Sequence, residues 1–167
     1  MSRAVSAQKT NIERAAAADL PGLLSLLDSV NLPREGVAEH LSNFLVARDA
    51  AGRTVGCIGI ERHGPVALLR SAAVAPDLQG TGLGQRLTAA LLEHARAEGV
   101  AEVVLLTTTA RKFFAEKFGF REAARADYDA QLAASPEWNL PRCSSAVFMR
   151  LNLRAANNER DGRGGRG

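Results

Sequence analysis

The stretch Gln79-Gly80-Thr81-Gly82-Leu83-Gly84 lies between an apolar run that ends near Val74 and an amphipathic segment that begins near Gly84. The first amide groups of a helix have no partner inside it and carry a partial positive charge, and glycine lets an anion approach the backbone closely. The stretch therefore predicts a phosphate-binding loop at the start of a helix. The alternative interpretation is a tight turn with a purely structural role.

The glycine spacing excludes two common phosphate-binding motifs. A dinucleotide fingerprint reads G-x-G-x-x-G, and from Gly80 its third glycine would fall on Gln85. A P-loop ends in Gly-Lys-Ser/Thr, whereas Gly84 is followed by Gln85 and Arg86. We therefore expect another kind of phosphate carrier.

The pattern that fits is Gln/Arg-x-x-Gly-x-Gly/Ala, filled by Gln79, Gly82 and Gly84 after Ala-Val-Ala-Pro at residues 73–76. It resembles the GNAT superfamily of N-acetyltransferases, and the resemblance covers roughly residues 10–153. It implies an acetyl-CoA co-substrate with its pyrophosphate held by Gln79, Gly80, Gly82, Leu83, Gly84 and Gln85. The resemblance also implies that Ala72, Val74 and Phe114 bind the cofactor beyond its pyrophosphate.

Length and composition indicate one globular domain, because 167 residues with 46% hydrophobic content suffice for one sizeable core. The longest apolar runs are too short to span a bilayer, and the first ten residues lack the apolar block of a signal peptide. We expect a cytoplasmic protein with reduced thiols at Cys57 and Cys143 and with no metal site. The net charge of +3 comes mostly from the tail after residue 153, so we expect no nucleic-acid or membrane partner.

The order of apolar patterns predicts a mixed α/β domain at 10–153, between disordered tails at 1–9 and 154–167. The resemblance implies the GNAT fold, a mixed central sheet of about six to seven strands flanked by about four helices. A strand at 66–74, a helix and a strand at 102–107 form a crossover, which makes the two strands parallel. The other helices are predicted after Asp19, at 37–41 and at 110–117.

Acetyl transfer to an amine needs a group that polarises the carbonyl, a path for the amine proton and an acid for the leaving thiolate. The resemblance implies that backbone at Ala72 polarises the carbonyl. Leu68 stands where relatives carry a glutamate base, so the candidates are Glu61 or His63 acting through water, or water alone. Phenylalanine replaces the usual tyrosine acid, which leaves water, Cys143 or the single tyrosine, Tyr128, as alternatives.

Polar residues at the predicted cleft are candidates for acceptor binding. Arg70 interrupts an apolar strand, so it either binds a carboxylate of the acceptor through two parallel hydrogen bonds or forms a structural ion pair. Ser71 would point the same way only if a bulge intervenes. The threonines Thr107, Thr108 and Thr109 follow a parallel strand, where α/β sheets bind ligands, and Thr109 is also a candidate helix cap.

Further segments, such as Leu68-Leu69-Arg70-Ser71 and Leu105-Leu106-Thr107-Thr108-Thr109, look like the acetyltransferases associated with arsenic resistance. That branch implies an acceptor with an α-amino group on a small anionic, amino-acid-like molecule, such as a glutamate-like antimetabolite. The resemblance also suggests a homodimer. Two alternatives stay open: acetylation of a protein lysine or N-terminus, and a CoA-binding sensor without catalysis.

Overall fold

The computed structural model describes residues 10–140 and 146–154. The predicted disordered tails, apart from Arg154, and the predicted reduced thiol of Cys143 lie outside the described residues. Within the described ranges, no helix is long and apolar enough to cross a membrane.

Seven strands form one mixed sheet, in the order β1-β2-β3-β4-β5-β7-β6. Only β4 and β5 pair in parallel among these neighbours, which confirms the predicted crossover. The strands are β1 (Asn11–Arg14), β2 (Phe44–Arg48), β3 (Thr54–His63), β4 (Val66–Val74), β5 (Glu102–Thr107), β6 (Arg121–Glu122) and β7 (Val147–Asn152). The predicted mixed sheet of six to seven strands is thus confirmed.

Three α-helices accompany the sheet instead of about four: α1 (Leu20–Ser29), α2 (Leu83–Ala97) and α3 (Arg111–Phe118). The helix predicted at 37–41 is wrong, because residues 35–40 form turns and only Leu41–Asn43 forms a 3-10 helix. Five residues are too few to nucleate a stable helix. Gly36, with a φ of +84°, also breaks the helical path just before them.

Apolar side chains form two clusters on opposite faces of the sheet. Along β5, Val103 and Leu105 join the larger cluster, which also contains the buried residues of the three helices. Val104 points the other way and packs in a smaller cluster with Leu132 and Trp138. The segment after β6 therefore covers one face, while the helices cover the other.

The strands β4 and β5 pair over only three residues and then separate. Their last pair is Leu68 with Val104, although β5 continues beside β7 as far as Thr107. Beyond that point β4 bulges, because two of its residues, Ser71 and Ala72, lie opposite the single residue between Cys57 and Gly59 of β3. The separation leaves a gap in the middle of the sheet.

Candidate active site

A cleft of about 360 Å³ opens where β4 and β5 separate. The helices α2 and α3 supply further walls through residues such as Leu87 and Phe113. Nine residues that the sequence predicted for the site line it: Arg70, Ser71, Ala72, Val74, Gly84, Thr107, Thr108, Thr109 and Phe114. The cleft therefore joins the predicted acceptor residues to Gly84, at the end of the predicted phosphate loop.

The glycine loop lies open at the N-terminus of α2. Gly80 and Gly82 have φ values of +81° and +88°, and a Cβ on either would meet no heavy atom within 4 Å. Gln79, Gly80, Gly82 and Gln85 are exposed, whereas the side chain of Leu83 is buried, so Leu83 offers only its backbone. The amides of residues 83–85 belong to the first turn of a helix of 15 residues and point at the place where an anion would bind. These residues fit a pyrophosphate.

A side-chain contact ties this loop to the cleft. Gln79 donates from Nε2 to the carbonyl of Val74 at 3.1 Å, and Val74 is the last residue of β4. Ala72, two residues earlier, is exposed toward the cleft between the buried Ser71 and Ala73. Its backbone lies in the bulge, where ladder pairing is interrupted and polar groups are available for a ligand.

Arg70 is fully buried, and each part of its guanidinium has a partner within the protein. Its Nε donates to Ser71 Oγ at 2.9 Å, and Nη1 donates to Glu61 Oε2 at 2.6 Å and to the Glu35 carbonyl at 2.5 Å. Nη2 donates to the Pro33 carbonyl at 3.2 Å and lies 3.3 Å from Glu137 Oε2. Four of these contacts are hydrogen bonds, and the contact with Glu137 is an ion pair. The structure thus has the ion pair, and an acceptor carboxylate would have to displace one of these partners.

The predicted base Glu61 is fully buried and does not line the cleft. Burial alone would raise its pKa, but hydrogen bonds from Ser135 and Arg70 outweigh burial and hold the pKa of Glu61 below its ordinary value. His63 Nε2 lies 3.2 Å from Glu61 Oε1, and this contact also lowers the pKa of Glu61. The structure therefore places Glu61 as the anionic partner of Arg70, away from the cleft surface where an amine would react.

The predicted acid Tyr128 lies outside the cleft as well. Its ring packs against Phe148, with 5.0 Å between centroids, in the smaller apolar cluster. Burial raises the pKa of Tyr128, which makes the phenol a weaker acid. In the place expected for an acid, Phe114 packs edge-on against Phe120 and offers no proton.

The prediction that Thr109 caps α3 is wrong, because the N-cap residue is Ala110 and no side chain caps the helix there. Thr107 instead stabilises the turn before α3. Its Oγ1 accepts hydrogen bonds from the backbone amides of Ala110 at 2.9 Å and Thr109 at 3.4 Å. The turn between β5 and α3 brings these amides over the earlier hydroxyl. Thr108 and Thr109 are exposed and line the cleft.

Two polar residues that sequence reasoning did not assign to the site, Glu137 and Cys57, also line the cleft. Glu137 is the only carboxylate among the described lining residues, and no local motif marks it. The Cys57 thiol donates to the Ser71 carbonyl at 3.2 Å, and burial raises the pKa of Cys57 to about 12, so it stays protonated. Across residues 10–140 and 146–154, no three metal-ligating side chains converge.

The family described as acetyltransferase (GNAT) domain matches residues 40–122, from before β2 to the end of β6. The chain belongs to the GNAT acetyltransferase superfamily. This GNAT domain is 29% identical over 126 residues to the amino-acid acetyltransferase of Neisseria meningitidis, covering 68% of this chain and 28% of that protein. It is 36% identical over 93 residues to glucosamine 6-phosphate N-acetyltransferase 1 of Oryza sativa, covering 51% of this chain and 55% of that protein.

Solved structures agree with this membership. Rv2747 of Mycobacterium tuberculosis, in complex with CoA and NLQ, superposes with a TM-score of 0.72 at 25% identity, covering 86% of this chain and 99% of that one. N-acetylglutamate synthase of Neisseria gonorrhoeae, complexed with coenzyme A and N-acetyl-glutamate, gives 0.67 at 23% identity, covering 86% of this chain and 35% of that one, and it supports the fold alone. The chain thus spans about a third or less of the length of the two Neisseria proteins.

We predict that Glu61→Gln lowers the free energy of unfolding by about 3–5 kcal/mol at pH 7, because it leaves Arg70 buried beside a neutral amide. The lowered pKa of Glu61 means that its charge stabilises the fold above about pH 4.5 and that this contribution fades as the pH falls through the folded-state pKa. Urea denaturation should therefore show the gap between wild type and variant closing in acid.

The control is Glu116→Gln on the exposed side of α3, where the carboxylate lies 3.9 Å from Lys112 Nζ. It should change stability by less than about 1 kcal/mol at any pH. A wild-type advantage over Glu61→Gln that stays constant from pH 7 into acid would contradict the assignment of a charged Glu61.

Proposed function

We propose that this chain is an acetyl-CoA-dependent N-acetyltransferase that acts on the amino group of a small amino-acid-like molecule by direct transfer in a ternary complex. One observation carries the proposal: the open glycine loop at the start of α2 runs through Gly84 into the cleft between the separated strands. A cofactor lying along that path would place its pyrophosphate on helix amides and its reactive end beside Ala72.

Acetyl-CoA, when bound, supplies an acetyl group activated as a thioester. The amides of residues 83–85 would hold the pyrophosphate, helped by the exposed Gln79 and Gln85. Val74 and Phe114 would contact the pantetheine arm, since both line the cleft between the loop and the bulge. The backbone at Ala72 would orient and polarise the thioester carbonyl, because a fixed amide dipole stabilises charge that develops on oxygen.

The chain's own side chains set how protons move in this proposal. Phe113 and Phe114 exclude water from one wall but donate no proton, so the leaving thiolate would take its proton from solvent at the open end of the cleft. The amine would likewise release its proton through water, with Glu137 as the nearest described carboxylate of the wall. No covalent enzyme intermediate is required.

An amino-acid acceptor is supported by the resemblance to amino-acid acetyltransferases and by the hydroxyls of the cleft. Thr108 and Thr109 line it as exposed side chains, and Ser71 keeps its own O–H proton while its oxygen accepts from Arg70. Hydroxyl donors of this kind would bind the acceptor's carboxylate without displacing a partner of Arg70. The resemblance to the arsenic-resistance branch extends the candidate acceptors to glutamate-like phosphinates and arsinates.

We predict that Gly84→Trp abolishes tight acetyl-CoA binding while the fold persists. Gly84 has no positive φ, and a Cβ there would lie 3.8 Å from Val74 Cγ2, so the backbone accepts a side chain that fills the path to the cleft. Calorimetry should show affinity at least about 100-fold weaker, equivalent to about 2.7 kcal/mol. Gly84→Ala is the control and should bind acetyl-CoA nearly as the wild type does; equal binding by the tryptophan variant would refute the cofactor path.

We predict that acetyl-CoA turnover, followed by release of the free thiol, is fastest with an amino acid in a panel of amines. The panel contains amino acids, glutamate-like phosphinates and arsinates, glucosamine 6-phosphate and lysine peptides. A preference for glucosamine 6-phosphate would favour the sugar-amine activity named for the rice relative, and a preference for peptides would favour protein acetylation. Tight acetyl-CoA binding with no turnover on any amine would identify a sensor and overturn the enzymatic proposal.

A further inference from the structure

We propose that Arg70 is a positioning residue that assembles the acceptor end of the cleft by fixing the β4 bulge to segments 33–36 and 135–138. This inference deepens the proposed function, on which it rests, and concerns the same cleft. It assigns Arg70 a role other than direct contact with the acceptor.

The contacts of Arg70 reach four separate parts of the chain. The carbonyls of Pro33 and Glu35 come from the turn after α1, Glu61 from β3, Ser71 from the bulge and Glu137 from the segment before β7. Glu61 extends the network, because its second oxygen accepts from Ser135 Oγ. The buried guanidinium of Arg70 therefore connects both loops that border the cleft to the strands β3 and β4.

The turn at 33–36 is shaped around this guanidinium. A Cβ on Gly36 would lie 2.9 Å from Arg70 Nη1 and 3.2 Å from Pro136 Cγ, and Gly36 has a positive φ of +84°. The two loops therefore meet directly beside the arginine. Because Leu32, Pro33 and Glu137 all line the cleft, moving Arg70 would move the parts of the cleft wall that both loops supply.

The bulge also depends on Arg70. Ser71 has a φ of +59°, which few residues other than glycine adopt. Two hydrogen bonds hold it there, from Arg70 Nε to its hydroxyl and from the Cys57 thiol to its carbonyl. The next residue, Ala72, lines the cleft, so the bulge that these hydrogen bonds hold is part of the cleft wall.

Lysine cannot replace arginine in this role. Lysine keeps the charge that neutralises the buried carboxylates, but it is a point charge with three donors, whereas arginine has a planar fork with five. Arg70→Lys therefore separates positioning from charge balance. Since none of the contacts of Arg70 reaches residues 79–85, the pyrophosphate loop should keep its geometry.

The test compares Arg70→Lys with Arg48→Lys. Arg48 on β2 also bridges two carboxylates, Asp19 at 2.7 Å and Glu13 at 2.7 Å, but it does not line the cleft. For Arg70→Lys we expect kcat/KM for the acceptor to fall about 100-fold, mainly through KM for the amine, as expected for misplaced reactants. Acetyl-CoA affinity by calorimetry should stay within about twofold, as it should for Arg48→Lys, which should leave acceptor kinetics unchanged.

Hydrogen–deuterium exchange provides a readout that does not depend on turnover. Arg70→Lys should speed exchange in segments 33–37, 70–73 and 135–140, while segment 83–92 keeps the wild-type pattern. Uniformly faster exchange, or a parallel loss of acetyl-CoA affinity, would show that Arg70 has a general structural role and would overturn the proposal. Unchanged exchange together with unchanged kinetics would also overturn it. If Arg70→Lys does not fold, Ser71→Ala removes the acceptor of Nε. Exchange measured without an amine should then be faster in segment 70–73 alone, and unchanged exchange there would overturn the proposal.

The two proposals fail in different ways. If the wild type acetylates none of the amines while exchange in Arg70→Lys changes as expected, the proposed function fails and the assembly of the cleft by Arg70 stands. If the wild type acetylates an amine and Arg70→Lys matches it in kinetics and exchange, the enzyme stands and the positioning role falls.

Discussion

The separation of β4 from β5 is the constraint on which the site depends. A sheet normally continues its ladder to satisfy backbone hydrogen bonds, yet these two strands stop after three pairs while each keeps its outer neighbour. The cost is a set of backbone groups without ladder partners in the middle of the sheet. The separation also creates the cleft, whose walls include the bulge and the first turn of α2 after the glycine loop.

The free-energy cost of burying charges indicates that the ion-pair cluster at Arg70 serves to position segments of the chain more than to stabilise the fold. Removing charges from water costs several kcal/mol per ion, and well-packed apolar residues in place of a buried ion pair are often as stable or more so. Arg70 and Glu61 are nonetheless both fully buried. A guanidinium with four directed hydrogen bonds fixes neighbouring segments in a way that an apolar side chain does not, because dispersion forces have little directionality.

The sequence predicted the parts of the fold that local patterns determine. The bounds of β4 follow from an apolar run between a Gly-Pro turn and Pro76, and α2 follows from its amphipathic period. The two-residue turn between His63 and Val66 even fixes the register, which puts Glu61 diagonal to Arg70 and favours their ion pair. The register follows from the length of the turn, and it favours a structural ion pair of Arg70 over contact with the acceptor.

The remaining partners of Arg70 were out of reach because they come from irregular segments. No periodic pattern tells where a turn such as 33–36 passes, or that Glu137 returns to the same guanidinium. The same limit explains Tyr128, which was selected for its residue type and lies instead in the smaller apolar cluster. It also explains the start of α3, where the path of one turn makes Ala110 the N-cap residue and not Thr109.

The family match covers the proposed cofactor half of the cleft more completely than the proposed acceptor half. In the proposed function, the cofactor half would consist of backbone at the bulge and at the start of α2, all within the matched residues 40–122. The acceptor half is bordered by segments 33–36 and 135–138, and both lie outside that range. Backbone groups tolerate many side chains, so membership of the superfamily constrains the cofactor half strongly. The proposed acceptor hydroxyls of Ser71, Thr108 and Thr109 lie within the matched residues, but the two segments beside them do not, and Arg70 contacts both of these segments.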